Sequence, residues 1–175
     1  VSVFFAALLS VSFTSIAKEI LTSYALSDAA SNEHQSLILN RSGPGKNNVI
    51  QGIALDAKNN WLYTLHVMGK PEKGVINRFN YKSQIEATGV QLPSSSIGHQ
   101  GFSISPKDGS IYSSAGKDID NRGWYISHFG FSVNNPPQDL KVIQVFDKSY
   151  SRTTNSMPTV SPDNKSIIIR GRKDG

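Results

Sequence analysis

The segment Gln51–Thr64, QGIALDAKNNWLYT, returns without a gap 49 residues later as Gln100–Ser113, QGFSISPKDGSIYS. In both copies a Gln-Gly pair opens an alternating apolar run, and a weaker third copy follows at Met157–Ile168. Each copy also contains a pair of turn-forming residues: Asn59-Asn60, Asp108-Gly109 and Asp163-Asn164. Because periods near about 50 residues built from short strands are typical of propeller blades, each repeat is predicted to form one small antiparallel sheet.

The apolar runs between turn signals predict four strands in each of the first two repeats and two strands in the third. These strands are 53–55, 61–67, 75–81 and 84–92, then 102–104, 111–114, 124–131 and 140–146, then 158–160 and 166–170. A β-sandwich also contains many short strands, but it does not predict an ungapped repeat. The predicted fold is therefore all-β, a partial β-propeller over residues 37–175 with four-stranded blades and repeats that start near 51, 100 and 157.

The N-terminal segment predicts export. Residues 1–17 contain no charged side chain, and the apolar stretch Val3–Ala17 is rich in small residues. This pattern is typical of a signal peptide cleaved after Ala17, although a membrane anchor or a buried helix is an alternative. The stretch is shorter than the roughly 20 apolar residues of a spanning helix, so no stable membrane span is expected after cleavage. Residues 18–36 are expected to be a linker or a first strand, and the protein is expected to be secreted, periplasmic or at the cell surface.

Composition excludes several classes of site. The chain has 18 Lys and Arg residues against 13 Asp and Glu, a net charge of +5, but the basic residues are scattered and form no stripe interleaved with aromatic residues. A nucleic acid partner is therefore not expected. The absence of Cys excludes disulfides, thiolate zinc sites and Cys nucleophiles. The four His residues show no metal-binding spacing, and in Asp118–Gly123 the basic Arg122 stands where a calcium loop needs its third ligand. No metal or cofactor is predicted.

Several motifs together resemble a known family. The segments Ile50-Gln51-Gly52, Trp61–Thr64, Gly74–Phe79 and Gly98–Gly101 resemble the β-propeller domain shared by phage receptor-binding proteins and the teichoic-acid biosynthesis protein C, over roughly residues 36 to 172. The resemblance implies a propeller that is secreted or displayed at a surface, associated with cell-wall glycopolymers, and without an established catalytic apparatus. An apolar N-terminus is not expected of a phage tail component, which favours a bacterial exported protein.

Equivalent positions of successive blades form rings around a propeller's central channel. Gln51, Gln100 and Ser156 occupy one such position, and His99 and Asn155 fall one residue earlier in their repeats. These side chains both donate and accept hydrogen bonds, and they are the predicted ligand-binding residues for a hydroxyl-rich ligand. The alternative is that they pair with backbone groups near the channel, where an unpaired polar atom costs about 1 to 3 kcal/mol.

The sequence predicts a non-catalytic binding module for a cell-surface glycopolymer or an envelope protein. The alternative is a propeller-type hydrolase or lactonase-like enzyme, which the Ser161–Lys165 turn, common among propellers, leaves open. The chain contains no G-x-S-x-G elbow, and nothing in the sequence brings a nucleophile to a base. No catalytic residue is predicted.

Two glycines and two tryptophans are predicted to be structural. Gly52 and Gly101 follow Gln at the entry to equivalent inner strands, where the chains are expected to approach closely, so a β-branched side chain is expected to damage folding at either position. Trp61 and Trp124 fall at non-equivalent places in their repeats, which argues against a shared aromatic platform for a ligand. The repeats supply about three blades, whereas a closed ring needs about four to eight. The sequence is therefore expected to be a fragment of a longer propeller, and the alternative is that identical copies close a ring by head-to-tail contacts.

Overall fold

A computed structural model describes residues 49–80 and 89–173, all within a unit that spans Leu37–Gly175. These residues form ten β-strands and one short 3₁₀ turn, Arg122–Trp124, so the all-β prediction is confirmed. The predicted signal peptide, the segment 18–36 and most of the predicted strand 84–92 lie outside the described residues.

The first repeat forms a four-stranded antiparallel sheet. Its strands follow one another in sequence and in space: β1 (Gly52–Asp56), β2 (Trp61–Met68), β3 (Lys73–Asn80) and β4 (Gly89–Val90). The longest pairing joins β2 to β3, from Trp61 opposite Asn80 to Met68 opposite Lys73. Because β2 is central in the sheet, five of its eight residues are buried.

The second repeat forms an equivalent antiparallel sheet. Its strands are β5 (Ile97–Ile104), β6 (Ile111–Ala115), β7 (Tyr125–Gly130) and β8 (Gln138–Gln144), again in chain order. The β5–β6 register shifts between Ile97 and Phe102, and Gly101 lies inside this irregularity. The third repeat contributes a two-stranded antiparallel sheet, β9 (Met157–Val160) and β10 (Ile167–Arg170).

The three predicted turn pairs close the first hairpin of each sheet. In every pair the second residue has a positive φ angle: 59° at Asn60, 74° at Gly109 and 56° at Asn164. Glycine adopts this left-handed conformation without steric cost, and asparagine tolerates it better than most residues. The recurring Asn or Gly at the second turn position is therefore explained by backbone geometry.

The main hydrophobic core lies between the first two sheets. It joins buried side chains of β2 and β3 to buried side chains of β5, β6 and β7: Tyr63, Leu65, Ile76, Ile97, Phe102, Ile104, Ile111 and Phe129. Burying each large apolar side chain contributes about 1.5 to 3 kcal/mol. The first strands of the three sheets are neighbours, since β5 contacts both β1 and β9. The three described sheets do not close a ring.

The two glycines that follow Gln differ in their physical role. A Cβ atom built on Gly52 would lie 3.1 Å from the Phe102 ring and 3.8 Å from the Cα of Gly101, so space is limited there. At Gly101 a Cβ would meet only Met157 Cε at 3.9 Å, but φ is +121°. The predicted reason, close approach of the chains, is therefore wrong for Gly101, where backbone conformation requires glycine.

We expect Gly52→Val and Gly101→Val each to lower the free energy of unfolding by about 1 to 3 kcal/mol, through crowding of Phe102 in the first case and backbone strain in the second. Urea unfolding of the purified variants measures this. Gly130→Val is the control, because its Cβ would meet Gln138 at an ordinary 3.5 Å and its φ is not positive. Variants at 52 and 101 that match the parent would show that neither glycine is required.

Candidate functional site

The predicted ligand-binding residues separate into exposed and buried ones. Gln51 and Gln100 are exposed, and their backbone N–H groups donate to Leu65 O at 2.8 Å and Ser114 Oγ at 3.1 Å. The structure brings the neighbouring Gly52 and Gly101 together, as expected for equivalent positions of adjacent strands. Ligand binding by the two glutamines stays a prediction.

Asn155 and Ser156 are buried and already engaged in hydrogen bonds. Ser156 Oγ donates to Gly123 O at 2.6 Å, and Asn155 Oδ1 accepts from Arg122 Nε at 2.7 Å. This geometry matches the alternative interpretation, in which buried polar side chains pair with nearby protein groups. His99 is half-buried, and with Asn155 it lines a small cavity near the β2–β3 loop.

A larger cleft of about 580 Å³ lies at the opposite end of the strands, between the first and second sheets. Its walls come from the β1–β2 turn, the β5–β6 turn, the C-terminal parts of β3 and β7 and the start of β8. Ligand pockets in proteins commonly have volumes of about 300 to 1,000 Å³, so the cleft is large enough for a small ligand or for part of a polymer.

Aromatic side chains and one arginine form a fixed wall of the cleft. The Arg78 guanidinium carbon lies 4.2 Å from the centre of the Trp61 ring and 5.0 Å from that of Phe131. Phe131 also packs edge-on against Tyr63, with ring centres 5.3 Å apart. Burial raises the pKa of the Tyr63 hydroxyl, and the nearby Arg78 partly opposes this effect. Cation–π and edge-to-face contacts therefore hold all four side chains in place.

Carboxylates from the two hairpin turns face this wall. Asp56 is buried and accepts hydrogen bonds from the backbone N–H of Asn59 at 3.2 Å and from its side-chain amide at 2.7 Å. Asp108 accepts from the Ser110 backbone N–H at 3.0 Å and from its hydroxyl at 2.7 Å. These bonds, led by the Ser110 hydroxyl, lower the pKa of Asp108 from 3.8 to about 2. The Asp108 carboxylate is therefore ionised at neutral pH and acts as a hydrogen-bond acceptor.

The remaining polar groups come from β7 and β8. The His128 ring packs against Tyr112 at 4.4 Å between ring centres, and its charge contributes to the lowered pKa of Asp108. Gln138, Asp139 and Lys141 complete the lining of the cleft. With Asp56, Asp108 and Asp139 facing Arg78 and Lys141, positive and negative charges nearly balance.

The arrangement can bind an uncharged polar ligand by hydrogen bonds, since amide, hydroxyl, imidazole and carboxylate groups surround a partly apolar wall.

Across the described ranges 49–80 and 89–173, no group of three or more His, Cys, Asp or Glu side chains is placed to hold a metal ion. The same ranges contain no helix of the length and hydrophobicity needed to cross a membrane.

The sequence indicates the turns of this cleft but not the cleft itself. The pairs Asn59-Asn60 and Asp108-Gly109 are recognisable as turns, whereas Arg78, His128 and Phe131 give no sequence signal. One sequence signal for the cleft is available, a difference between the two copies. The residue directly after the turn pair is Trp61 in the first copy and Ser110 in the second.

Comparisons of the chain with protein-family models, with curated proteins and with solved structures returned no match.

Asp108 is expected to make stability depend on pH. Because its folded pKa of about 2 lies below the usual 3.8, its ionised form stabilises the fold above about pH 4, and this contribution is lost as the pH falls towards 2. Asp108→Ala should be less stable than the parent at pH 6, with a difference that shrinks between pH 4 and pH 2. Urea unfolding across this range measures the difference. Lys107→Ala is the control, and a pH-independent difference for Asp108→Ala would contradict the assignment.

Proposed function

We propose that the protein is a non-catalytic binding module of the β-propeller type, whose inter-sheet cleft accepts a hydroxyl-rich ligand such as part of a cell-surface glycopolymer. The observation that carries the proposal is the cleft of about 580 Å³, where the Trp61 wall faces the hydrogen-bonding groups of Asn59, Asp108, Ser110 and Gln138. Sugar rings present both apolar C–H faces and many hydroxyl groups, so a lining of this kind suits them.

The propeller part of the proposal is supported by the repeated sheets. Two four-stranded antiparallel sheets and a two-stranded one follow one another along the chain, and their first strands are neighbours. Strands in chain order within each sheet, and first strands side by side, are what a propeller requires. The sequence resemblance to the propeller domain of phage receptor-binding proteins and teichoic-acid biosynthesis protein C adds to this, as does the apolar N-terminal segment for an exported location.

The charges of the cleft favour a ligand without a strong charge of its own. Three carboxylates lie against Arg78, Lys141 and the imidazole of His128, so no single sign of charge dominates the field in the cleft. Neutral hydroxyl-rich ligands are therefore favoured over polyanions at this site.

A hydrolytic function is less well supported. Cleavage of a glycosidic bond commonly uses a carboxylic acid with a raised pKa to protonate the leaving group. The pKa of Asp108 is instead lowered, because Ser110 donates two hydrogen bonds to its carboxylate. Asp108 is consequently an acceptor for ligand hydroxyls and not an acid catalyst.

We expect Asp108→Ala and Gln138→Ala each to weaken binding of a neutral wall oligosaccharide at least tenfold, because each removes a polar group that lines the cleft. Isothermal titration calorimetry of the parent and both variants with a panel of bacterial wall glycopolymers and neutral oligosaccharides measures this.

Asp163→Ala is the matched control for Asp108→Ala. Asp163 accepts the same kinds of turn bonds, from Ser161 Oγ at 2.6 Å and the Lys165 N–H at 3.0 Å, but it lies in the third hairpin and does not line the cleft. Its replacement should affect stability and leave binding at the parental level. No binding by the parent to any polymer, or equal losses in both Asp variants, would contradict the proposed function.

A further inference from the structure

A second group of charged side chains lies at the other end of the strands, away from the cleft. Glu72, in the loop between β2 and β3, points its Oε2 atom at two basic groups, with Lys117 Nζ at 3.1 Å and His99 Nδ1 at 3.7 Å. The charge of Arg122 also acts on Glu72, and the Lys117 contact is the largest cause of the lowered pKa of this carboxyl. His99, Lys117 and Arg122, hereafter the basic cluster, therefore converge on one carboxylate from the second sheet and its β6–β7 connection.

The basic cluster carries more positive charge than Glu72 neutralises. Among the described residues that line the small cavity at this place, Glu72 is the only acidic one. The nearby Asp118 is turned to two serines instead, accepting from Ser95 Oγ at 3.1 Å and Ser96 Oγ at 2.9 Å. Among the residues that line the cavity, Lys117 and Arg122 thus outnumber the one carboxylate even when His99 is neutral.

The guanidinium of Arg122 is held in position with donors to spare. Its Nε atom donates to Asn155 Oδ1 at 2.7 Å and to Thr153 O at 3.2 Å. Within the part of the chain that the structure describes, these hydrogen bonds involve Nε alone, so the two terminal nitrogens keep their N–H groups for another acceptor. A fixed guanidinium fork suits the planar or tetrahedral oxygens of a carboxylate or a phosphate.

We infer that the basic cluster is a binding site for an oxyanion, a carboxylate or phosphate group of a ligand, and that the Glu72 carboxylate occupies this position when the ligand is absent. The side chains of Glu72 and Lys117 are 38% and 43% exposed, and residues 69–71 of the Glu72 loop are exposed as well. The Oε2 atom itself is buried, so the carboxylate has to rotate out into solvent to release the site. The internal carboxylate competes with the ligand and lowers its apparent affinity.

Glu72→Gln tests the inference, because it removes the competing charge and keeps the size of the side chain. Inorganic phosphate should bind this variant at least tenfold more tightly than the parent, measured by calorimetry at constant ionic strength with chloride as the background anion. Glucuronate in a parallel titration separates a preference for carboxylate from one for phosphate. Phosphate affinity equal in Glu72→Gln and parent would overturn the inference.

A second substitution in the Glu72→Gln background identifies the donors. Adding Arg122→Gln or Lys117→Gln should return phosphate affinity to the parental level or below, whereas adding Lys165→Gln, at an exposed turn outside the cluster, should change it less than twofold. An equal loss with Lys165→Gln would indicate non-specific attraction and overturn the site.

Titration of the parent protein with phosphate, monitored through its amide chemical shifts, tests the site without any variant and so does not depend on the variants folding. Shifts confined to residues 117–122 and His99 support the site, and shifts spread over the surface reject it. The basic cluster and the inter-sheet cleft share no lining residue, so failure at one site leaves the test at the other intact.

Discussion

The fold depends on the burial of apolar side chains between successive sheets. A four-stranded sheet of this length cannot enclose a core alone, and the main cluster accordingly takes Tyr63, Leu65 and Ile76 from the first sheet and its remaining members from the second. Phe102 has a central place in this contact, because its ring lies against Gly52 of the neighbouring first strand. Each repeat is consequently stabilised mainly by its neighbour, as expected of repeat proteins.

The same packing creates the inter-sheet cleft. Tyr63 belongs to the core by its ring, yet it also lines the cleft beside Phe131 and Trp61. The Arg78 guanidinium lies against both the Trp61 and the Phe131 rings and covers part of their apolar surface. The wall of the cleft is thus an extension of the core, which explains how side chains so close to the surface are held in fixed positions.

The sequence predicted those parts of the fold that recur in every repeat. Strands β1, β2, β3, β6, β7, β9 and β10 lie close to their predicted bounds, because alternating apolar residues and turn pairs are local signals. The candidate sites could not be predicted in this way, because they are built from residues far apart in the chain. Asn155 is identifiable by its place in the repeat, but its partner Arg122 lies 33 residues away and no spacing rule links the two. The aromatic wall of the cleft likewise depends on Phe131 from the second sheet, whose ring centre lies 5.0 Å from the guanidinium carbon of Arg78 in the first. A periodic pattern does not encode such a contact.

The two sites have a feature in common that follows from the repeat itself. Some equivalent positions share a backbone conformation, as Asn60, Gly109 and Asn164 do with their positive φ angles. Chemical differences between the repeats arise where the copies diverge. The first repeat has Trp61 where the second has Ser110, and Ile50 where the second has His99. A repeat that kept every position identical would present the same groups at each sheet, and neither the inter-sheet cleft nor the basic cluster would then have its mixed composition. Divergence at a few positions on a constant framework is therefore sufficient to build two chemically distinct surfaces at the two ends of the same strands.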